Sequence, residues 1–380
     1  MELIISKKNF LRGLARTHAV ADRKSSMPIL SNILLTTEDT GTLRFAATDL
    51  YLGVTATAPA EVKKGGAIAV SARTLFDIVK NLPEGDVQWT VGPNHGAEIR
   101  SGKVRYRIPG MPGDDFPPLP SPGGAELFSI DADVIGDLIT KTSYSMSSDD
   151  TRPHLAGALF EGEGRVARMV TTDGHRLSKA DTRLREGTQM LNFSMLVPGK
   201  GIAELKRVIE DARSDKPKEG AEGPPQIQVG HAAGNAFFRR DGILLSVKLA
   251  EEQFPPYAKV IPQNQDKRVV INRAQLVEAL RRMSLVSSDK SGGVRLMVTA
   301  GSMRIVSENP DIGEGSEELD VDYAGGALTI GFNARYLLDV LSALSDDAVA
   351  LELAGELDPG VIKPANEHTM FVGVVMPMRI

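Results

Sequence analysis

The sequence predicts an α+β protein of three consecutive, similar domains, each running helix, strands, helix, strands. Three observations carry this. Helix-like segments open at Ser6 (SKKNFLRGLARTHAVADRK), Asp131 (DADVIGDLITKTSYSMSS) and Asn272 (NRAQLVEALRRMSLVSS), so the period is that of a whole domain. A second helical segment recurs near the middle of each unit, at Ser71 (SARTLFDIVKNL), Pro198 (PGKGIAELKRVI) and Asn333 (NARYLLDVLSAL). Two units also close alike, with DDFPPLP at 114–120 and EQFPPYAKVIP at 252–262, while the third closes on VVMPMRI.

Each opening segment places apolar residues at helical spacing behind a Ser, Asp or Asn suited to accept from the free amides of the first turn. The mid-unit helices each follow a short apolar strand signal, AIAV, SMLV or LTIGF. Between the helices lie alternating or β-branched runs such as NILLTTED, TLRFAATD, LMVTAGSMRIVS and ILLSVKLA, punctuated by Gly and Asp turns. The Pro-rich closures, flanked by SPGG (121–124) and QNQDKR (263–268), set the expected domains at 1–124, 125–261 and 262–380. SDKPKEGAEGPP (214–225) breaks the pattern and reads as a surface insertion.

Composition narrows the function. The 380 residues contain no cysteine, which excludes disulfides and thiolate metal sites. No apolar run reaches the ~18 residues of a membrane span, and MELIISKK does not resemble a secretory signal. A cytoplasmic, soluble protein is expected. The formal charge of −5, from 44 Lys+Arg and 49 Asp+Glu, argues against a uniformly basic nucleic-acid binder. Distribution matters more. Basic residues concentrate on the paired helices: Lys7, Lys8, Arg12, Arg16 and Lys24, then Arg73, Lys200, Lys206 and Arg282. For any one helix this is an ordinary solvated face; its recurrence suggests a shared lining for phosphates that reads no sequence. A sharper segregation sets RSGKVRYR (100–107), with four bases and no acid, against ENPDIGEGSEELDVD (308–322), with seven acids and no base. Opposite patches in the two terminal units suggest head-to-tail docking between copies, which closes a ring when the rotation permits.

TTDGHRL (171–177) is the one stretch that looks catalytic, in the manner of a hydrolase using Asp173 and His175. A general base needs an orienting neighbour and a nucleophile or metal within reach. The sequence offers no G-x-S-x-G, no H-E-x-x-H and only six scattered His, while Asp-Gly is a common turn. No catalytic residue, metal or cofactor is expected. A protein-binding scaffold that does not engage DNA accounts for the repeats but not for the basic helices.

MPILSNILL (27–35), ATDL (47–50), TTDGHRL, FPPY (254–257), GVRL (293–296), NPD (309–311) and VVMPMRI together resemble the bacterial DNA polymerase III β subunit family, the sliding clamps, over essentially the whole chain. The resemblance implies a ring of two head-to-tail subunits, helices lining the hole, that encircles double-stranded DNA. It implies a non-catalytic processivity subunit whose partners are the polymerase III catalytic subunit, the clamp loader, repair polymerases, mismatch repair proteins and ligase. These insert short apolar motifs into a pocket between the second and third domains. Carried over, that pocket comprises Arg152, Leu155, Thr172, Gly174, His175, Arg176, Leu177, Pro255, Val260, Asn333, Tyr336, Val374, Val375, Met376, Pro377, Met378 and Arg379. His175 and Arg176 are expected at its polar rim. The resemblance further implies a dimer contact of Tyr106 and Ile108 with Leu285 and Val286, flanked by Arg105 and Arg107 and by Glu314 and Glu317. Two departures stand out: Pro153-His154 replaces aromatic residues, and Lys259 replaces a common Arg, keeping the charge but losing the planar fork.

Overall fold

The computed structural model describes residues 1–22, 24–37, 41–149, 151–214, 223–287, 292–366 and 370–379. Of the expected insertion at 214–225, positions 215–222 lie outside the described residues. Among the described residues there are six α-helices: α1 Lys7–Thr17, α2 Ala72–Lys80, α3 Ala132–Thr142, α4 Gly199–Ser214, α5 Arg273–Ser284 and α6 Ala334–Ala343. Of the caps expected at the opening helices, Ser6 and Asn272 form, accepting from the Asn9 and Gln275 amides, and the mid-unit helices are capped in the same way by Ser71 and Asn333, which accept from the Thr74 and Arg335 amides. α1 stops well short of Lys24. The buried Thr17 hydroxyl donates to the Gly13 carbonyl at 2.9 Å, and the backbone turns after His18.

Every strand pair in the four sheets is antiparallel, and the chain forms two compact units. The first holds residues 1–132 and 203–249. Its five-stranded sheet runs Glu61–Lys64, Glu2–Ser6, Asp86–Val91, Ala97–Ser101 and Val104–Ile108. Its nine-stranded sheet runs Gly110–Pro112, Ala67–Ser71, Asn32–Thr37, Thr42–Thr48, Leu52–Pro59, Ile243–Lys248, Asn235–Arg240, Gln226–Ala232 and Phe128–Asp131. α1 packs on α2 and on Leu52–Pro59, burying Phe10 against Phe45 and, edge-on, against Trp89 at 5.8 Å. Gly13 permits that approach, because a Cβ there would lie 2.3 Å from the Phe45 ring.

The second unit holds residues 133–202 and 250–380. Its eight-stranded sheet runs Leu191–Pro198, Gly157–Gly164, Val166–Thr172, Arg176–Arg183, Phe371–Val375, Gly360–Pro364, Ala348–Leu353 and Lys267–Asn272. A four-stranded sheet follows the order Gly313–Asp320, Ser302–Asn309, Gly293–Thr299 and Leu328–Asn333, with α5 packed on α6. The units are therefore out of phase with the sequence repeats. Each contains one whole terminal repeat and part of the central one.

Several basic residues counted toward a shared lining are held within the protein. Arg16 pairs with Asp211 at 2.6 Å, Asp211 also meets Arg240 at 3.5 Å, and Lys7 pairs with Glu84 at 2.8 Å. Arg16 thus ties α1 to α4 in the first unit. Arg282, expected to face DNA, is exposed and makes a two-pronged pair with Glu317, expected at the dimer contact, at 2.8 and 2.5 Å. Lys8, Arg12, Lys24, Arg73, Lys200 and Lys206 are exposed, Arg73 lying 3.6 Å from Asp77. Tyr106, Leu285 and Glu314 are exposed, whereas Ile108 is buried opposite Ala97 and supports its own sheet.

A candidate peptide-docking surface on the second unit

The turn at 173–175 joins Val166–Thr172 to Arg176–Arg183, and its acid is spent on building it. Asp173 Oδ1 accepts from the His175 and Arg176 amides at 2.9 and 3.0 Å, and Oδ2 accepts from Arg176 Nε at 3.0 Å. The Thr172 hydroxyl donates to the Arg176 carbonyl at 2.7 Å and accepts from the Gly174 amide. Gly174 takes φ +91°, a conformation that disfavours other side chains. The same construction occurs in the first unit. Thr48 donates to Leu52, and Asp49 accepts from the Tyr51 and Leu52 amides at 2.9 and 2.6 Å. The Thr-Asp pair is thus a turn device of the repeat, not a catalytic pair.

Arg176 occupies the interior rather than the rim expected for it. Its guanidinium donates to Asp339 at 2.6 Å, to the Tyr144 carbonyl at 2.7 Å and to Asp173, and lies 4.4 Å from the centre of the Tyr336 ring. Burial works against its charge, but the bonds from Asp339 and Asp173 outweigh it and raise its pKa above the usual arginine value. The buried Tyr144 hydroxyl donates no charge to this cluster: burial pushes its pKa up, and it shares a hydrogen bond with Ser178 at 2.6 Å. Asp339 lies three residues after Tyr336 on α6, on the same helix face, a spacing that could have marked it in the sequence. Nothing in the sequence singles out Tyr144.

His175 stays exposed, with its ring 6.4 Å from that of Tyr336. Its carbonyl accepts from Met376 at 2.9 Å, and Met378 donates to the Gly331 carbonyl at 2.8 Å, so the segment after Phe371–Val375 is pinned along the turn. Leu177 pairs with Val374 and packs with Val170 in a buried cluster flanked by Leu159, Phe254, Tyr257, Ile261 and Val372. Leu177 and Val374, expected to line the pocket, are buried at 2% and 1% exposure and form its floor, whereas Val375, next along the strand and so on its opposite face, is fully buried outside that cluster. Leu155 is also buried. Val260 and Met376 are 47% and 40% exposed, while Pro255, Pro377 and Met378 are half-buried and Arg379 is exposed.

Arg152 donates to Asp149 at 2.9 Å and to the Asp173 carbonyl at 3.3 Å, which fixes it beside the turn. Asn333 caps α6, positioning Tyr336. Pro153 is exposed and His154 half-buried. The result is an apolar, Met-bearing surface on a floor of strand residues, edged by fixed polar groups. Such a surface suits a peptide with two or three apolar side chains. No group of three or more His, Asp or Glu capable of holding a metal occurs among the described residues.

The chain matches the family models of the DNA polymerase III beta subunit in three consecutive pieces: the N-terminal domain over 1–120, the central domain over 129–256 and the C-terminal domain over 258–379. The beta sliding clamps of Escherichia coli K12 and Caulobacter vibrioides are each 33% identical to it, over the full length of both chains. A crystal structure of the Pseudomonas aeruginosa DNA polymerase III subunit beta and one of that organism's sliding clamp bound to griselimycin superpose with TM-scores of 0.92 and 0.91 at 32% identity and full coverage of both chains. A Caulobacter crescentus clamp with polyethylene glycol bound to its putative beta-motif tethering region gives 0.92 at 31% and equal coverage. With three domain models matched in order and the clamp fold reproduced from end to end, the chain belongs to the DNA polymerase III beta subunit family.

Proposed function

We propose that this protein is a DNA sliding clamp, a non-catalytic processivity factor acting in the cytoplasm. The family match along all three repeats carries the reading, with domains at 1–124, 125–261 and 262–380. Two copies join head to tail, encircle duplex DNA and hold polymerase III and repair proteins through the surface at 172–177 and 374–379. Exposed Lys8, Arg12, Lys24, Arg73, Lys200 and Lys206 supply weak, sequence-independent phosphate contacts. Two sheet edges support the self-association. Val104–Ile108 ends the five-stranded sheet with Arg105 and Arg107, and Gly313–Asp320 ends the four-stranded sheet with Glu314, Glu317, Glu318 and Asp320. Unpaired edges of opposite charge invite strand pairing between copies.

A topological assay tests the reading. Loaded onto a nicked circle, the protein should remain bound until the circle is cut and then slide off. Rapid loss from circular and linear DNA alike overturns it. Removing Met376–Ile380 should abolish binding of polymerase peptides and leave the dimer intact.

A further inference from the structure

The basic edge carries an acid of its own. Glu98, one strand inward, accepts from Arg105 at 2.6 Å, from Arg107 at 2.9 Å and from Arg100, with its side chain only 18% exposed. Strand register explains the gathering. Arg107 lies directly opposite Glu98, while Arg100 lies directly opposite Arg105, a like-charge pair that costs stability unless neutralised. Ala97, Ile99 and Ser101 point into the sheet, so Glu98 and Arg100 share the outer face. Consistent with three guanidinium partners, the Arg105 and Arg107 hydrogen bonds hold the Glu98 carboxyl well below the usual range, at about 2.

The opposite edge offers a richer set of carboxylates. Glu314, Glu318 and Asp320 are exposed along Gly313–Asp320, with Glu317 already held by Arg282. A second copy that brings this strand to Val104–Ile108 presents new carboxylates to arginines that Glu98 already occupies, and sets its own negative charge beside Glu98.

Resting on the head-to-tail reading above, we propose that Glu98 is an intramolecular competitor for the acidic edge of a second copy and weakens ring closure. It holds Arg105 and Arg107 in the free protomer, so docking exchanges one set of ion pairs for another instead of adding a new set. The ring is thereby kept openable. Neutralising Glu98 frees three guanidiniums and leaves the like-charged Arg100–Arg105 pair uncompensated until a partner arrives.

Subunit exchange of the full chain, followed by mixing two fluorescent labels, tests this at about 0.05 and 0.3 M salt, where screening differs strongly. Glu98→Gln should slow exchange roughly fivefold at low salt, the ratio that an exposed ion pair supports, with the difference shrinking at high salt. Glu98→Ala should act in the same direction, and thermal unfolding of both variants confirms that they fold. Exchange that is unchanged or faster in both folded variants overturns the proposal, the faster case assigning Glu98 to orienting the arginines for the partner. Wild-type protein that stays monomeric at every concentration overturns the head-to-tail reading itself, and this proposal with it.

Discussion

At the scale of the residue, the side chains that look most reactive are those the fold consumes. Asp173 has its lone pairs filled by two amides and one guanidinium, and among the described residues no carboxylate bonds the His175 ring; the pair therefore lacks the orienting contact a general base needs. The turn itself was legible, since Asp-Gly announces it. The inward course of Arg176 was not, because it depends on Tyr144 and Asp339, both distant in the chain. Arg176→Ala strands Asp339 and Asp173 without their shared cation. It should cost roughly 3 kcal/mol, as for a buried pair broken on one side, and weaken peptide binding. Denaturant unfolding and peptide titration measure the two effects. A separate test concerns Glu204 on α4, which is buried and has its carboxyl pKa raised by that burial, against the pull of Arg207 at 2.8 Å. A raised folded pKa means the folded state holds its proton more tightly, so the ionised form is penalised at neutral pH and relieved as pH falls through the folded value. Glu204→Gln should raise the melting temperature at pH 7, with the gain vanishing at acid pH.

Elements were the most legible scale. The helical segments read as starting at Ser6, Ser71, Asn272 and Asn333 each begin there, with that residue's side chain as the cap. The strand signals before α2, α4 and α6 correspond to Ala67–Ser71, Leu191–Pro198 and Leu328–Asn333. Helix ends were less so: the helical reading of the first segment runs to Lys24, whereas α1 ends at Thr17 with His18 as its C-cap. Close packing was also hidden. Gly13 sits mid-helix, where sequence alone suggests a weakness, yet its missing Cβ is what lets Phe45 lie against α1. Gly13→Ala should therefore destabilise by about 1–3 kcal/mol despite alanine's better helix propensity. Urea unfolding measures it, and a stabilised variant would show that the ring can move aside without strain.

For the whole molecule, the three repeats describe how the chain is written, and the two units describe how it holds together. The strand Leu52–Pro59 of the first repeat pairs along its length with Ile243–Lys248 of the second, from Leu52 opposite Val247 to Ala56 opposite Ile243. Arg16 of α1 likewise finds Asp211 on α4. No periodicity announces such partnerships, because they join residues almost two hundred positions apart. A fragment ending at 124 would keep the first repeat but expose Leu52–Pro59 as a bare edge, lose the Arg16–Asp211 pair and leave the inner face of a long sheet without its continuation. A fragment ending at 261 would retain all of those contacts. The shorter piece should melt at a markedly lower temperature and associate through its open strand, whereas the longer one should keep the first unit folded. Thermal unfolding with light scattering distinguishes them, and equal stability of the two fragments would show that each repeat, rather than each contact unit, is the folding unit of the clamp.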